Sequence, residues 1–229
     1  MLGREDFRGR KVVIAGGGTG GHLYPGIALA ETFLRLQSET EILFIGTSQG
    51  IGASPIPKKG FRFALVTASG FVGKGFSAKA KSLLSIPLGL CQSLGILKSF
   101  GPQLVIGIGG YVAVPVMLAA ALLGIKRVIL EPNVMPGLVN KITAPLSHLI
   151  ITAFDASNKN LPSRKIRRLG IPVRPEIAKP AAFHGSSLPA QAPGPVRGGG
   201  NGETLTPLLL GGSQGALSIT HAMTAALDF

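Results

Sequence analysis

Seven residues near the start of the chain, Gly16-Gly17-Gly18-Thr19-Gly20-Gly21-His22, have the composition of a phosphate-binding turn. Glycines allow a tight turn and let the backbone approach a ligand closely, because no Cβ stands in the way. A helix that begins here would direct free N–H groups and a partial positive charge toward an anion. His22 adds a side chain that can accept a proton near neutral pH. The pattern predicts a seat for phosphate or diphosphate.

The flanking sequence predicts the elements that would position this turn. Residues 11–15 form an apolar run typical of a buried strand, and residues 23–34 have the apolar spacing of a helix, with Pro25 tolerable in a first turn. Strands alternating with helical segments predict an α/β fold with a parallel sheet covered on both faces. Further strands are predicted at 41–47, 61–67, 104–108, 127–130 and 148–152, and helices at 79–100 (interrupted at Pro87), 114–123 and 137–146.

Three turns follow predicted strands and carry glycine or polar residues. They are the glycine turn at 16–22, Gly109-Gly110-Tyr111 and Glu131-Pro132-Asn133. Ligands of open parallel sheets bind beyond the carboxyl ends of the strands. We therefore expect the three turns to line one edge of the sheet.

Composition narrows the choice of partners. The 229 residues carry 23 Lys and Arg against 10 Asp and Glu, a net charge of +13, which favours an anionic partner. Nucleic acid is disfavoured, because there are two Tyr, no Trp and no basic run with interleaved aromatics. The lone cysteine, Cys91, excludes an internal disulfide, and the four histidines have no metal-ligand spacing, so no metal site is indicated. The uncharged stretch 104–125 is interpreted as a buried strand and helix rather than a membrane span, because glycines and Pro115 interrupt it.

Composition changes after Arg174. Residues 175–205 are rich in Pro, Gly, Ala and Ser and indicate a linker. Residues 206–229 contain a second strand, the glycine turn Gly211-Gly212-Ser213-Gln214-Gly215-Ala216 and a helix-like tail. The predicted organisation is a domain at 1–174, a linker at 175–205 and the beginning of a second domain at 206–229.

The spacing of Gly16, Gly18 and Gly21 also fits a dinucleotide-binding turn, which would indicate an oxidoreductase. Such folds usually place an acidic residue at the end of the second strand, for the ribose. Residues 45–49 contain no acid, and no Gly-Lys-Ser/Thr follows the glycines as a P-loop would require. The dinucleotide hypothesis is therefore the weaker one.

Six sequence blocks are more specific for a function than the glycine spacing. In their order along the chain they closely resemble the MurG family of bacterial glycosyltransferases (family 28). The resemblance covers about residues 11–174 and 206–220. The blocks are 16–30, 69–75, 107–111, 131–141, 170–174 and 211–216.

The resemblance implies a GT-B fold, with two Rossmann-like domains and a cleft between them. It implies inverting transfer of N-acetylglucosamine from UDP-N-acetylglucosamine to the 4-hydroxyl of the N-acetylmuramoyl group of lipid I, an undecaprenyl-diphosphate-linked acceptor, giving lipid II. The implied process is peptidoglycan synthesis, and the implied location is the cytoplasmic face of the bacterial inner membrane, with peripheral attachment. It implies no cofactor.

Site residues are carried over from the same resemblance. His22 matches the proposed general base, and Thr19, Gly20 and Gly21 match the loop that faces the sugar-phosphate groups. Asn133, Arg174 and Ser213 match donor-binding positions. Glu131 is either a site carboxylate or a helix-capping partner. Asn140, Gly110, Tyr111 and Gln214 are further candidates.

A basic and apolar cluster resembles the face that the family uses to reach its lipid substrate. It comprises Lys74, Phe76, Lys79, Lys81, Leu83 and Leu84. Lysines beside apolar residues can rest on an anionic leaflet, although an ordinary core-facing helix with solvated lysines has the same pattern.

Three features depart from the family pattern. Residues 50–55 lack the usual glutamate, Ile171 replaces the usual asparagine before Pro-Val-Arg, and the second domain is expected to continue well beyond Phe229. The alternative function is therefore an inactive fragment that binds membrane or a lipid-linked diphosphate.

Overall fold

Seven parallel strands form a single sheet in the computed structural model, which describes residues 10–48, 50–53, 55–69, 76–174, 196–197 and 204–205. The strands are β1 (Lys11–Ala15), β2 (Glu41–Gly46), β3 (Arg62–Leu65), β4 (Leu104–Gly107), β5 (Lys126–Glu131), β6 (Leu149–Thr152) and β7 (Ile166–Arg168). The helices are α1 (Gly20–Leu36), α2 (Pro55–Lys58), α3 (Phe76–Phe100), α4 (Ala113–Leu122) and α5 (Leu138–Thr143). Short 3-10 turns occur at Ile51–Ala53, Ala144–Leu146, Asp155–Asn160 and Ser163–Lys165.

The strand order β3-β2-β1-β4-β5-β6-β7 creates a switch point at the centre of the sheet. The chain runs outward from β1 to β3, then returns through α3 to place β4 on the other side of β1. Ala15 pairs with Ile45 on one side and with Gly107 on the other. The loops that follow β1 and β4 therefore leave the sheet side by side, where ligands of open α/β sheets bind.

Each face of the sheet buries its own apolar cluster. Strand residues such as Val13 and Ile129 pack on one face with Leu97 of α3 and Met117 of α4. Residues such as Ile14 and Phe44 pack on the other face with Leu23 and Ile27 of α1. The central strands are buried on both faces, which is why their sequences are continuously apolar instead of alternating.

The chain divides into two compact units, residues 1–174 and 175–229. In the second unit, β8 (Val196–Arg197) pairs antiparallel with β9 (Thr204–Leu205). The glycine turn at 211–216, with Ser213 and Gln214, lies outside the described residues, as does the predicted strand and helix around it.

The uncharged stretch 104–125 forms β4 and α4, as predicted, and Val105, Val116 and Met117 are completely buried in it. Among the described residues, no helix combines the length and the apolar character that crossing a membrane would require.

Two predictions about proline were wrong. Pro87 is exposed, and helix α3 continues through it. The helix is kept in place because residues after the proline, such as Gly89 and Leu97, are buried against the rest of the protein. Packing thus offsets the one backbone hydrogen bond that the proline removes. Helix α1 begins at Gly20, earlier than expected, so Pro25 lies in its second turn and not its first.

The short edge strand β7 was missed by the sequence analysis, because two of its three residues are exposed arginines. The turns between β2 and β3 were missed as well, since they lack a helical apolar period. The other strands and helices predicted between residues 11 and 152 agree with the structure to within a few residues.

Two glycines of α3 form a matched pair for testing its packing. A Cβ on Gly89 would lie 2.4 Å from the Thr67 carbonyl oxygen, whereas a Cβ on Gly95 would meet nothing within 4 Å. We expect Gly89→Ala to lower the free energy of unfolding by about 2 kcal/mol through overpacking. Gly95→Ala should raise it by about 0.5–1 kcal/mol, because alanine favours the helix. Equal effects in urea denaturation would contradict this packing.

Candidate active site

Two glycine turns meet at the switch point of the sheet. A Cβ on Gly16, which has φ +145°, would lie 2.3 Å from the Gly109 carbonyl oxygen and 2.5 Å from the Ile108 side chain. The Gly16 N–H donates to the Ile45 carbonyl at 3.1 Å, and the Ile108 N–H donates to the Ala15 carbonyl at 2.9 Å. Only glycine fits at position 16, because the backbone of the neighbouring turn occupies the space that a side chain would need.

Gly110 keeps the β1–α1 turn open. Its φ is +83°, and a Cβ there would lie 3.4 Å from the Gly18 nitrogen and 3.7 Å from the Gly17 nitrogen. A side chain at this position would thus cover the amides of the turn. With glycine, the backbone nitrogens and the start of α1 can be reached by an anion.

His22 lies in the first turn of α1, and its ring is held on two sides. Its Nδ1 atom is 2.9 Å from the Thr19 hydroxyl oxygen. A Cβ on Gly109 would lie 2.6 Å from His22 Cδ2 and 2.8 Å from Nε2, so the ring packs over that glycine. Thr19 is the N-cap of α1, but its side chain makes no capping hydrogen bond and contacts His22 instead. If Nδ1 carries the proton and donates it to Thr19, Nε2 has a free lone pair.

The pKa of His22 is lowered from its ordinary value of 6.5, because burial of the ring disfavours the imidazolium ion. The negative charge of Glu131 acts in the opposite direction and raises the pKa of His22, but it is the smaller effect. His22 is therefore predominantly neutral at pH 7, which is the form that can accept a proton.

Glu131 ends β5 with its side chain completely buried and fully hydrogen-bonded. Its Oε1 accepts the backbone N–H and the side-chain Nδ2 of Asn133, both at 2.9 Å. Its Oε2 accepts the Gly137 N–H and Asn140 Nδ2, also at 2.9 Å. Four donors offset the cost of burying the carboxylate. They also tie the loop after β5 to the beginning of α5.

Asn140 contributes a polar atom with unused hydrogen-bonding capacity. Its Nδ2 donates to Glu131 Oε2 and to the Leu130 carbonyl, at 3.4 Å. Those two acceptors fix which end of the amide is nitrogen. Its Oδ1 is buried and has no hydrogen-bond partner within the described part of the chain. An unpaired buried acceptor costs about 1–3 kcal/mol, which a ligand donor would offset.

These residues surround one cleft of about 380 Å³. Its walls come mainly from the glycine turn after β1, the loop after β4 and the first turn of α5, with Thr47 and Ala68 from the loops after β2 and β3. Two of the three predicted turns therefore line the cleft, whereas the third, Glu131-Pro132-Asn133, does not and is joined to it through hydrogen bonds from Glu131 to Gly137 and Asn140. The lining residues are Gly16, Gly17, Gly18, Thr19, His22, Thr47, Ala68, Gly109, Gly110, Tyr111, Val112, Gly137, Leu138, Val139 and Asn140.

The other predicted site residues that the structure describes do not line this cleft. Gly20 and Gly21 begin α1 directly behind Thr19. Glu131 and Asn133 do not line the cleft; Glu131 is hydrogen-bonded to Asn133 and to two lining residues, Gly137 and Asn140. Arg174 does not line the cleft; its guanidinium lies over the Tyr24 ring, 4.6 Å from the centroid.

Two groups of predicted residues are not described. Ser213, Gln214 and Lys74 lie outside the described residues. The side chains of Phe76, Lys79, Lys81, Leu83 and Leu84 do so too, although their backbone belongs to α3. No contact is assigned to any of them.

Sequence reasoning missed three contributions to the site. Gly109 was predicted as part of a turn, but its packing contact with the His22 ring was not predicted. The hydrogen bonds between Glu131 and Asn140 were not expected, although the nine-residue separation across a β–α turn is compatible with them. Leu138 and Val139 were missed because apolar residues in a short helix usually indicate core.

Residues 12–150 match the N-terminal domain of glycosyltransferase family 28. The chain belongs to this family. It is 41% identical over 219 residues to a transferase of Thermodesulfovibrio yellowstonii, covering 96% of this chain and 57% of the relative. That relative is named UDP-N-acetylglucosamine–N-acetylmuramyl-(pentapeptide) pyrophosphoryl-undecaprenol N-acetylglucosamine transferase. A protein of the same name from Geotalea uraniireducens is 42% identical, with the same coverage. The predicted resemblance is confirmed.

The fold agrees with that of a solved protein structure. MurG of Acinetobacter baumannii superposes with a TM-score of 0.61 at 24% identity, over 71% of this chain and 46% of that protein. The predicted α/β fold of the GT-B type is confirmed for the part of the chain that the structure describes. The chain spans about 57% of the length of the curated family 28 relatives above.

Gly109 and Gly124 allow the contact with His22 to be tested separately from backbone strain. Both have positive φ, but a Cβ on Gly124 would meet nothing within 4 Å. Alanine at either position should cost about 1 kcal/mol of stability, because of the left-handed conformation. Only Gly109→Ala should also shift the His22 imidazole resonances in NMR spectra. Unperturbed His22 resonances in Gly109→Ala would contradict the packing of the ring on this glycine.

The lowered pKa of His22 predicts a direction for the pH dependence of stability. The folded protein binds the His22 proton less readily than the unfolded chain, so the free energy of unfolding should decrease as the pH falls below 6.5. The decrease should end below the pKa of folded His22. The pKa of His148 is lowered as well, by burial and by the positive charge of Arg127, so it contributes with the same sign.

Urea denaturation between pH 7.5 and pH 5 measures the slope, and His22→Gln should make it shallower. An NMR titration should give His22 a pKa below 6.5. A value above 6.5 would refute the dominant effect of burial.

Proposed function

We propose that this chain provides the acceptor-side domain of an inverting N-acetylglucosaminyltransferase. The donor would be UDP-N-acetylglucosamine, and the acceptor an N-acetylmuramoyl group linked through diphosphate to undecaprenol, as the names of the family 28 relatives indicate. The observation that carries the proposal is the cleft in which a neutral His22 lies beside an open glycine turn.

The glycine turn suits the acceptor diphosphate. Gly17 and Gly18 line the cleft with their nitrogens beside Gly110, which has no side chain to cover them, and α1 begins shortly after them. Backbone N–H groups and the positive end of a helix favour anions. Charge supports the same assignment, since the protein carries a net +13.

His22 would act as the general base. Its Nε2 would take the proton of the acceptor 4-hydroxyl while that oxygen bonds to the anomeric carbon of the donor sugar, and the bond from that carbon to UDP would break. The Thr19 hydroxyl would accept a hydrogen bond from the Nδ1–H group of His22. This tautomer leaves Nε2 unprotonated and able to receive a proton. Burial keeps the imidazole neutral before the reaction.

Asn140 and Asn133 would complete the site on the α5 side. The Nδ2 group of Asn140 already donates to Glu131 and to the Leu130 carbonyl, whereas its Oδ1 has no partner among the described residues. Oδ1 can therefore accept a hydrogen bond from a hydroxyl or an amide N–H of a bound sugar. Asn133 and Glu131 would hold the loop in shape through their mutual hydrogen bonds. Arg174 and Ser213 remain proposed contacts of the nucleotide donor, and Gly20, Gly21, Tyr111 and Gln214 remain further candidates.

Peripheral attachment to the cytoplasmic face of the membrane belongs to the same proposal. The cluster of Lys74, Phe76, Lys79, Lys81, Leu83 and Leu84 would bring the cleft to a lipid-linked acceptor. A cationic and apolar cluster of this kind suits an anionic leaflet.

The two alternatives differ in what they would bind. A dinucleotide-dependent oxidoreductase lacks support, because β2 ends at Gly46 and is followed by Thr47 and Ser48, with no acid for a ribose. A binding module without transferase activity would take the acceptor diphosphate but not UDP-N-acetylglucosamine. Calorimetric titration with that nucleotide sugar separates the module from the transferase, since saturable binding counts against the module.

His22 and His148 provide a matched pair for the catalytic assignment, because His148 lies before β6 at the opposite edge of the sheet and contacts the Arg127 backbone. In an assay of N-acetylglucosamine transfer to a lipid-linked acceptor, His22→Gln should lower kcat by about 10²-fold or more, the usual contribution of a general base. The KM for the donor should change little. His148→Gln should retain kcat. An unchanged rate in His22→Gln would remove this residue from the mechanism.

Thr19 variants test the orientation of the ring in the same assay. Thr19→Ser keeps a hydroxyl that can accept a hydrogen bond from Nδ1–H of His22, so its kcat should stay near that of the unaltered protein. Thr19→Val has a similar shape without the hydroxyl, and its kcat should fall about ten-fold. Equal rates in the two variants would contradict the role of the hydrogen bond.

A further inference from the structure

A second, smaller cavity adjoins the active-site cleft and has a different chemical character. It lies between α3, α4 and α5 and has a volume of about 140 Å³. Its walls include the side chains of Ile86, Val114, Pro115, Val139 and Ile142. Below, these residues together with the walls shared with the cleft are called the side groove.

Several polar groups along the side groove already have partners. The hydroxyl groups of Ser69 and Ser85 lie 3.3 Å apart, joining the loop after β3 to α3. The Thr67 N–H donates to Gln92 Oε1 at 2.7 Å. The surface that the side groove offers to a ligand is therefore predominantly hydrocarbon, with the Tyr111 side chain at its border with the cleft.

The side groove and the cleft form a continuous path. Ala68, Tyr111, Leu138 and Val139 line both of them. The side groove opens to solvent at apolar side chains, because two of its lining residues, Leu138 and Ile142, are each 53% exposed. Exposed apolar residues that adjoin a polar site are a mark of ligand or partner binding.

We propose that the side groove binds the first isoprenoid units of the acceptor, whose diphosphate lies on the glycine turn. This inference rests on the function proposed above and adds a subsite for the lipid chain. A polyprenyl diphosphate joins a polar dianion directly to a branched hydrocarbon, and the cleft and the side groove offer that same sequence of environments. Size agrees as well, since apolar cavities of about 150 Å³ accept a benzene-sized hydrocarbon.

This subsite differs from attachment to a leaflet. The cluster at 74–84 would hold the protein on a membrane, whereas the side groove would recognise a chain carried by the acceptor itself. The distinction can be tested with ligands that are soluble and form no bilayer. Inorganic diphosphate and geranyl diphosphate, which has two isoprene units, are suitable probes.

Calorimetric titration of the full chain with both probes measures the gain in affinity from the isoprenoid. The unaltered protein should bind geranyl diphosphate about ten-fold more tightly than inorganic diphosphate, as net burial of about two methylene groups predicts. Ile142→Gln should reduce this gain to about three-fold, because the change adds polarity at an exposed residue that lines only the side groove. Val114→Phe should abolish the gain by filling the cavity. Both variants should keep the affinity for inorganic diphosphate.

Leu122→Gln is the matched control, because Leu122 is 64% exposed and lines neither the cleft nor the side groove. It should preserve the gain. Equal affinity for the two probes, or a gain that survives Ile142→Gln and Val114→Phe, would overturn the lipid subsite and leave the diphosphate site intact. Failure of both probes to bind would overturn the diphosphate site and the subsite together.

Discussion

The close contact between the turns after β1 and β4 is the constraint on which the rest of the site depends. Gly16 and Gly109 approach each other so closely that a Cβ on Gly16 would overlap the Gly109 carbonyl oxygen, 2.3 Å away. This approach is possible only because β1 and β4 are neighbours at the switch point of the sheet. It places His22 over Gly109, and Gly110 beside the Gly17 and Gly18 nitrogens. The residues proposed for phosphate recognition and for proton transfer are thereby brought to one cleft.

The second constraint is the buried carboxylate of Glu131. It collects four donors from Asn133, Gly137 and Asn140, and so shapes the loop that closes the cleft on the α5 side. Its charge also reaches His22, where it opposes the effect of burial on the pKa. One residue thus serves as a structural anchor and as an electrostatic partner of the site. The sequence left two alternatives for Glu131, a site carboxylate or a helix-capping partner. Its hydrogen bond from the N–H of Gly137, the N-cap of α5, corresponds to the second, and a direct role in the site stays a prediction.

Much of the fold follows from local pattern. The strands at the centre of the sheet are continuously apolar because both faces are covered, and the turns after them carry glycines, so strand, turn and helix could be assigned for most of residues 11–152. The failures have a common cause. Pro87 and Pro25 lie within helices because tertiary packing outweighs a single lost hydrogen bond, and the edge strand β7 has an exposed, charged sequence that carries no strand signal.

The sequence by itself determined the family, the α/β class and the identity of the chemically capable residues, because six ordered blocks and the glycine spacing are properties of the chain alone. Only the tertiary structure decided how those residues meet. Sequence does not encode directly that Thr19 contacts the His22 ring instead of capping α1, that Gly109 seats this ring, or that Asn140 leaves its Oδ1 unpaired beside the cleft. These contacts join residues from different strands, and they exist only after the crossover through α3 has placed β4 next to β1.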